Sequence, residues 1–483
     1  MRAKSLHGHA LLRDRARLRA AEGSALGRSR TGVRLAGALA SLGAMAILAA
    51  ALAVGCEPTA GHDRPVLLFS SDNQGVLAAC GCPSNPTGGF AKRQGLIEDY
   101  RRTRPLVVLV DGGDLMPTRT NPIKVKYLAQ GISRAAYDAL ALGDAEFGLG
   151  LDAIRELERE YKLPYVCANV RDASGALVVA PHVIREVSSP KLGGARKIGI
   201  FAVITPTDYD WPPQKWREEL KVESPVEAAK REVGELAGCD VVVALSHQTL
   251  EESRELARAV PGIHVVICAH DRKILRQPEK VGETLLVCAG EGGGILGALA
   301  FGIGLGGQPE WALTMTELSA HVAEAPWAMD LYWAYVKEAK DKPPPDWNLA
   351  PLVTTYAATE ACGKCHPPEY KQWSTTAHAR SYESIRKTGR QDDPECLLCH
   401  TMGLGRKGGF VSMARTPELG RATCQACHIV APDHAVRKIK PEPRININSR
   451  LCMSCHGVIQ SPDFDYYVYK PKILHRPLDA GKK

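Results

Sequence analysis

Four times in its last third the chain places two thiols three positions apart and follows them at once with an imidazole. The sets are Cys362, Cys365 and His366; Cys396, Cys399 and His400; Cys424, Cys427 and His428; and Cys452, Cys455 and His456. In such a C-x-x-C-H pattern both thiols bond to the vinyl groups of one haem, and the adjacent imidazole reaches its iron. A zinc ribbon also pairs thiols at this spacing, but has no use for a histidine after every pair. The pattern predicts four covalent haem c groups. Each iron has a second axial position, and residues 356–483 contain only three other histidines, His378, His434 and His475. These are the expected distal ligands. Seven imidazoles for eight positions leave one haem five-coordinate, or completed by a donor such as His321, Met402 or Met413.

The chain carries a net charge of +8, and from Tyr356 to Lys483 there are 20 Lys and Arg against 12 Asp and Glu. Four haems bring about eight ionisable propionates, which this basic excess can neutralise. The basic residues are not interleaved with aromatics in a nucleic-acid module, so no nucleic-acid partner is expected. Few long helices and many turns are expected here, in a domain that folds only around its haems.

The phrases CGKCHPPEYKQWSTTAHARSYESI, CLLCHTMGLGRKGGF, CQACHIVAPDHAV and SPDFDYYVYKPKILH, between Tyr356 and His475, resemble the tetrahaem cytochrome c554 family. The resemblance implies distal roles for His378 and His434, one haem without a distal ligand, and electron transfer with redox partner proteins, either other cytochromes or quinol-linked complexes. The family's G-P-G turn after the third motif is replaced by Ile429-Val430-Ala431-Pro432, a departure beside the third haem.

What precedes this region reads as a layered α/β body. Apolar runs at 66–70, 106–110, 197–203, 240–245 and 263–269 alternate with amphipathic segments at 89–102, 122–140 and 250–260. Polar residues follow the strands, where ligand sites of α/β sheets gather. The phrases SSDNQG, GGFAKR, DGGD, LSH and CAH, in that order, resemble the 5′-nucleotidase branch of the calcineurin-like metallophosphoesterases. That family works with two metal ions.

Three departures bear on activity. Gln74 and Arg272 stand where the resemblance expects ligands of one ion, and Ala145 stands where it expects the histidine that protonates the leaving group. One site then keeps Asp72 and a share of Asp114. The other keeps Asp114, Asp144, His247 and His270, a complete set for one divalent ion. The Arg272 guanidinium is expected to occupy the vacated charge. The expectation is a degenerate phosphoesterase with at most one metal; the alternative is that His247 and His270 are merely strand-end residues.

Leu35 to Val54 is an uncharged run of 20 residues after a basic leader, and Gly55-Cys56 follows. This reads as an export signal. Ala53-Val54-Gly55-Cys56 resembles the bacterial lipobox, which implies lipidation at Cys56 and anchoring to a membrane of the cell envelope or periplasm. An uncleaved membrane helix is the other reading of such a length. Cys80 and Cys82, one residue apart, cannot comfortably bridge each other; metal binding or contact with a haem edge or redox partner is left. Cys167, Cys239, Cys268 and Cys288 lie in or beside apolar strands and are expected to be buried.

The expected organisation is a leader over 1–56, the phosphoesterase-like α/β domain over 64–305, a linker with a helix over 306–355, and a mainly α, loop-rich multihaem domain over 356–483. The function expected is electron transfer outside the cytoplasm. Two alternatives stay open: a haem oxidoreductase acting on a small nitrogen or oxygen species at a five-coordinate iron, and a working nucleotidase carrying a cytochrome.

Overall fold

The computed structural model describes residues 64–79, 87–117, 121–189, 194–205, 219–303, 309–340, 342, 356–428, 434, 448–457, 461 and 463–475. Cys56, Cys80 and Cys82 lie outside them. Among the described residues no helix is long and apolar enough to cross a membrane.

The strands Val66–Ser70, Val107–Asp111, Val241–His247 and Val265–Ala269 are near-continuous apolar runs. A strand reads this way when both faces of its sheet are covered, and here both are. One six-stranded sheet has the order 309–317, 295–303, 66–70, 107–111, 139–141, 165–166; the other runs 279–281, 284–288, 265–269, 241–247, 194–204, 182–189. Leu67, Phe69, Val108 and Val110 of the first meet Ile198, Ile200, Val243, Leu245 and Ile267 of the second in one buried cluster. Helices cover the outer faces. Phe90, Leu128, Ile132, Tyr332 and Tyr335 close the first sheet, and Ala228, Leu256 and Ala257 close the second. The result is a four-layer αββα body.

This body extends further than the sequence suggests. Pro309–Glu317 falls in the expected linker, yet it pairs antiparallel with Ile295–Ile303 throughout. The helix Pro326–Ala339 also buries Ala328, Tyr332, Tyr335, Val336 and Ala339 against the body. Each large apolar side chain so buried contributes about 1.5–3 kcal/mol. The helix expected in the linker is thus part of the core. Cys167, Cys268 and Cys288 are buried, and Cys239 is half-buried.

After the body come short helices: Thr359–Gly363, Pro367–Ser374, Ser381–Lys387, Pro394–His400, Ser449–Met453 and Tyr466–Tyr469, with single 3₁₀ turns between. The buried apolar cluster here comprises only Ile385, Leu397, Met402, Phe410 and Leu419. So small a core cannot by itself offset the chain entropy of the region.

Candidate haem and metal centres

At the strand ends of the body, Asp72, Asp114, His247 and His270 bring their ligand atoms within 4.8 Å of one another. The backbone is bent to do so. Among the described residues six non-glycine residues have positive φ, and three are Asp72, Asp114 and His270, with Gln74 a fourth. Each such conformation costs about 1–3 kcal/mol and persists where surrounding bonds over-determine it. Those bonds are present. Asp72 N–H donates to Gly113 O at 2.9 Å and Gln74 N–H to Asp114 O at 2.8 Å. The Asp72 carboxylate accepts the His270 N–H at 2.9 Å.

Asp144 lies against the two imidazoles. Its Oδ1 is 3.1 Å from His247 Nε2 and 3.3 Å from His270 Nδ1. His247 Nδ1 faces Gly112 O at 3.0 Å, which fixes the ring so that Nε2 points into the cluster. A Cβ on Gly143 would come within 2.2 Å of Asp114 Oδ1, so only glycine lets this loop close on the ligand. Arg272 does not enter the site. Its guanidinium pairs with Glu291 at 3.1 Å and its side chain is 75% exposed, because an outward carboxylate and water serve the cation better than a crowded pocket. Ala145 is buried, and its N–H donates to Asp114 Oδ1 at 2.9 Å.

Five residues outside the expected ligand set hold the ligands. The buried Glu146 carboxylate accepts N–H groups from Asp114, Met116 and Gly143 at 2.9–3.0 Å. Behind them Asp111 accepts from Ser70 and Asn73, both at 2.6 Å, and Arg93 donates to Asn73. Their signal was position: Asp111 and Arg93 lie inside DGGD and GGFAKR, and only the fold shows that they face inward.

Electrostatics fit a cation. Burial pushes Asp72 up to about 6 against the pull of His247, and Asp111 up to about 7. Burial, with the charges of Asp144, Glu146 and Asp72, also holds Asp114 well above the carboxylate range. Burial would lower His247, but Asp114 and its carboxylate neighbours raise it to about 10. Burial opposes ionisation of Asp144 too, yet hydrogen bonds and charge from both histidines hold it well below its usual range. Oxygen and imidazole donors of this kind suit one divalent first-row ion. Mn²⁺ at about 100 times its Kd should therefore stabilise the protein by about 2.7 kcal/mol, seen as a higher unfolding midpoint. Asp114→Asn should remove that shift; a shift that survives the substitution places the ion elsewhere.

In the carboxy-terminal region the imidazoles come in facing pairs. Ring centroids of His366 and His434 are 6.3 Å apart and nearly parallel. Those of His428 and His475 are 6.0 Å apart, also nearly parallel, and those of His378 and His456 are 6.1 Å apart. At metal–nitrogen distances of about 2 Å, two imidazoles on opposite sides of one ion stand roughly 6 Å apart. Each pair joins the histidine of one motif to one expected distal ligand. Proximal and distal rings are oriented from behind, with Nδ1 of His475 on Gln372 Oε1 at 2.9 Å and Nδ1 of His456 on Ser461 Oγ at 3.1 Å. That leaves Nε2 for iron.

His400 is held likewise, its Nδ1 2.7 Å from Ser381 O and 3.0 Å from Ser384 Oγ. No imidazole faces it among the described residues. Met402 is buried beside it in the Leu397, Phe410 and Leu419 cluster, while Met413 and His321 are exposed. The motifs also neighbour one another. Cys362 hydrogen-bonds Cys424, the thiols of Cys452 and Cys455 act on Cys427, and His400 acts on His456.

These sites match two kinds of known protein. A family model, cytochrome c554 and c-prime, matches residues 361–429. Cytochrome c-554 of Nitrosomonas europaea is 27% identical over 88 residues, 15% of this chain and 37% of that protein. The trifunctional nucleotide phosphoesterase YfkN of Bacillus subtilis is 28% identical over 225 residues, which cover 40% of this chain but only 15% of that protein. The crystal structure of a 5′-nucleotidase precursor from Thermus thermophilus superposes with a TM-score of 0.50 at 22% identity, covering 57% of this chain and 59% of the other. The aligned stretches thus span less than two thirds of each of these relatives. The chain is a fusion of a calcineurin-like phosphoesterase α/β fold with a cytochrome c554 family region, the latter carrying the motifs of haem c attachment.

Proposed function

We propose that the protein is an electron carrier of the cell envelope, with four haem c groups and a phosphoesterase-like body that no longer hydrolyses its family's substrates. The observation that carries this is the set of three facing imidazole pairs at 6.0–6.3 Å, each built on a separate C-x-x-C-H motif. Haem c supplies one-electron transfer, and two protein imidazoles per iron suit that task better than substrate binding. The protein's part is to attach the groups through Cys362, Cys365, Cys396, Cys399, Cys424, Cys427, Cys452 and Cys455 and to orient the imidazoles. Expected partners are other cytochromes or quinol-linked complexes. Membrane attachment is proposed through a lipid on Cys56, whose loss in Cys56→Ala would abolish palmitate incorporation. Pyridine haemochrome analysis with intact mass tests the reading and should give four haems per chain; two or fewer, in a host that matures c-type cytochromes, would refute it.

A second reading has one observation behind it. His400 faces no imidazole among the described residues, which favours a haem that takes a small nitrogen or oxygen species. The body is read as inactive because Ala145, Gln74 and Arg272 replace functional side chains, with a single divalent ion held among Asp72, Asp114, Asp144, His247 and His270.

A further inference from the structure

Among the described residues the phosphoesterase-like body holds the haem region at the approach to the second motif. Three of its segments converge on residues 390–395, which lead into and open the helix Pro394–His400 that carries the second motif. Tyr332, buried in the helix Pro326–Ala339, donates its hydroxyl to Asp393 Oδ2 at 2.7 Å. The same carboxylate caps the motif helix, its Oδ1 accepting Glu395 N–H at 2.9 Å. Lys124, in the helix Pro122–Ala135, pairs its ammonium with Glu395 while its own side chain is only 3% exposed. Arg390 donates to Ala79 O at 2.5 Å and lies 5.4 Å over the Tyr332 ring.

These contacts are built rather than incidental. A buried ammonium is tolerated only when paired, and removing one partner leaves an uncompensated charge. Asn121 caps the helix that carries Lys124, accepting its N–H at 3.2 Å, and its side-chain amide also reaches the Tyr335 hydroxyl at 3.5 Å. Lys124 and Tyr332 therefore come from two packed helices with little freedom. The element they hold is short: a helix of seven residues runs from a cap fixed by the body to His400, its last residue.

We propose that Lys124 and Tyr332 are positioning residues for the second haem: through Glu395 and Asp393 they set the tilt of the motif helix, and with it the His400 imidazole. This rests on the reading that the four motifs bind haem. The second haem is the one on which such control would tell. The other three motif histidines each face a second imidazole that also fixes the iron. At the second motif His400 sets it from one side, so a small rotation of the helix passes directly into ligand geometry. This gives the body a use that does not need hydrolysis.

The test uses the full-length holoprotein with Tyr332→Phe, Lys124→Met and the pair, plus Lys124→Arg. Haem-resolved potentiometry and cyanide titration are the readouts. In the double variant one haem in four should change its potential, and its cyanide affinity should change about tenfold, the lower end for loss of groups that orient a metal ligand. The other three should keep their potentials, and Lys124→Arg should restore the first. Tyr332→Phe keeps the ring and loses only the hydroxyl, so it gives a folded test if the double variant is unstable. Four unaltered haems would overturn the proposal, as would a uniform change in all four, which signals general loosening. If wild-type protein lacks haem on Cys396 and Cys399, the underlying reading fails instead, and haem counting shows this separately.

Discussion

Full-length protein given Mn²⁺, Zn²⁺ or Mg²⁺ should release phosphate from nucleoside monophosphates at least about 10²-fold more slowly than a typical enzyme turns over, the smallest loss expected when a general acid is missing. On the proposed reading the acid's place is taken by Ala145, a methyl group buried at the start of a short helix. The second loss is the partner ion. Two-metal hydrolysis clamps attacking and leaving oxygens together, whereas here the titratable ligands gather into one cluster of Asp72, Asp114, His247 and His270. Gln74 offers only an amide, and Arg272 is turned out to Glu291. Because both losses act on one transition state, Ala145→His alone should restore little. Gln74→His, Ala145→His and Arg272→His together should raise the rate by orders of magnitude. Turnover of about 1–1000 per second by the wild-type protein, the ordinary enzyme range, would overturn the reading of an inactive body.

The parts of these sites legible in sequence are those whose chemistry is local. Two thiols and an imidazole within five residues announce a haem without any knowledge of the fold. Apolar runs five residues long likewise announce strands whose sheet must be covered on both faces. The distal ligands needed counting, and the pairing of His366 with His434, His428 with His475 and His456 with His378 needed three dimensions. Nothing in spacing says that the fourth motif takes its partner from a position 78 residues earlier, between the first and second motifs. The supports of the metal cluster were hidden for the same reason. Glu146 and Asp111 look like ordinary acids in loops until the fold buries them and aims backbone N–H groups at them. The fate of Arg272 was misread because an arginine beside a depleted metal site suggests charge replacement, while a free carboxylate at Glu291 was invisible at a distance of 19 residues in sequence. The helix expected in the linker is present at Pro326–Ala339, but its packing into the core, like the strand Pro309–Glu317, was not legible because Gly- and Pro-rich stretches before and after them read as linker.

The holoprotein is expected to show one high-spin haem and three low-spin haems. Three imidazole pairs can close three irons on both sides, and irons so closed have no position for an added ligand. Cyanide or nitric oxide should therefore perturb about one haem in four. The perturbed haem should be that of His400, whose Nδ1 is already engaged by Ser381 and Ser384 and whose ring has no facing imidazole among the described residues. His378→Ala, His434→Ala and His475→Ala should each open one further iron, belonging to the fourth, first and third motifs respectively. Resonance Raman or electron paramagnetic resonance then counts two high-spin haems in each variant, and cyanide should reach two. The pattern also separates the two functional readings. If the wild-type protein is wholly low-spin, a further donor completes the second haem. Met402, buried two positions beyond His400, is then the first to replace, and the haem-enzyme reading loses its site. If Met402→Ala leaves that spectrum unchanged, His321 is the next to be tested. If instead the wild-type protein binds cyanide at one haem and the distal variants at two, His400 marks the only iron open to small molecules, and the remaining three serve to move electrons to or from it.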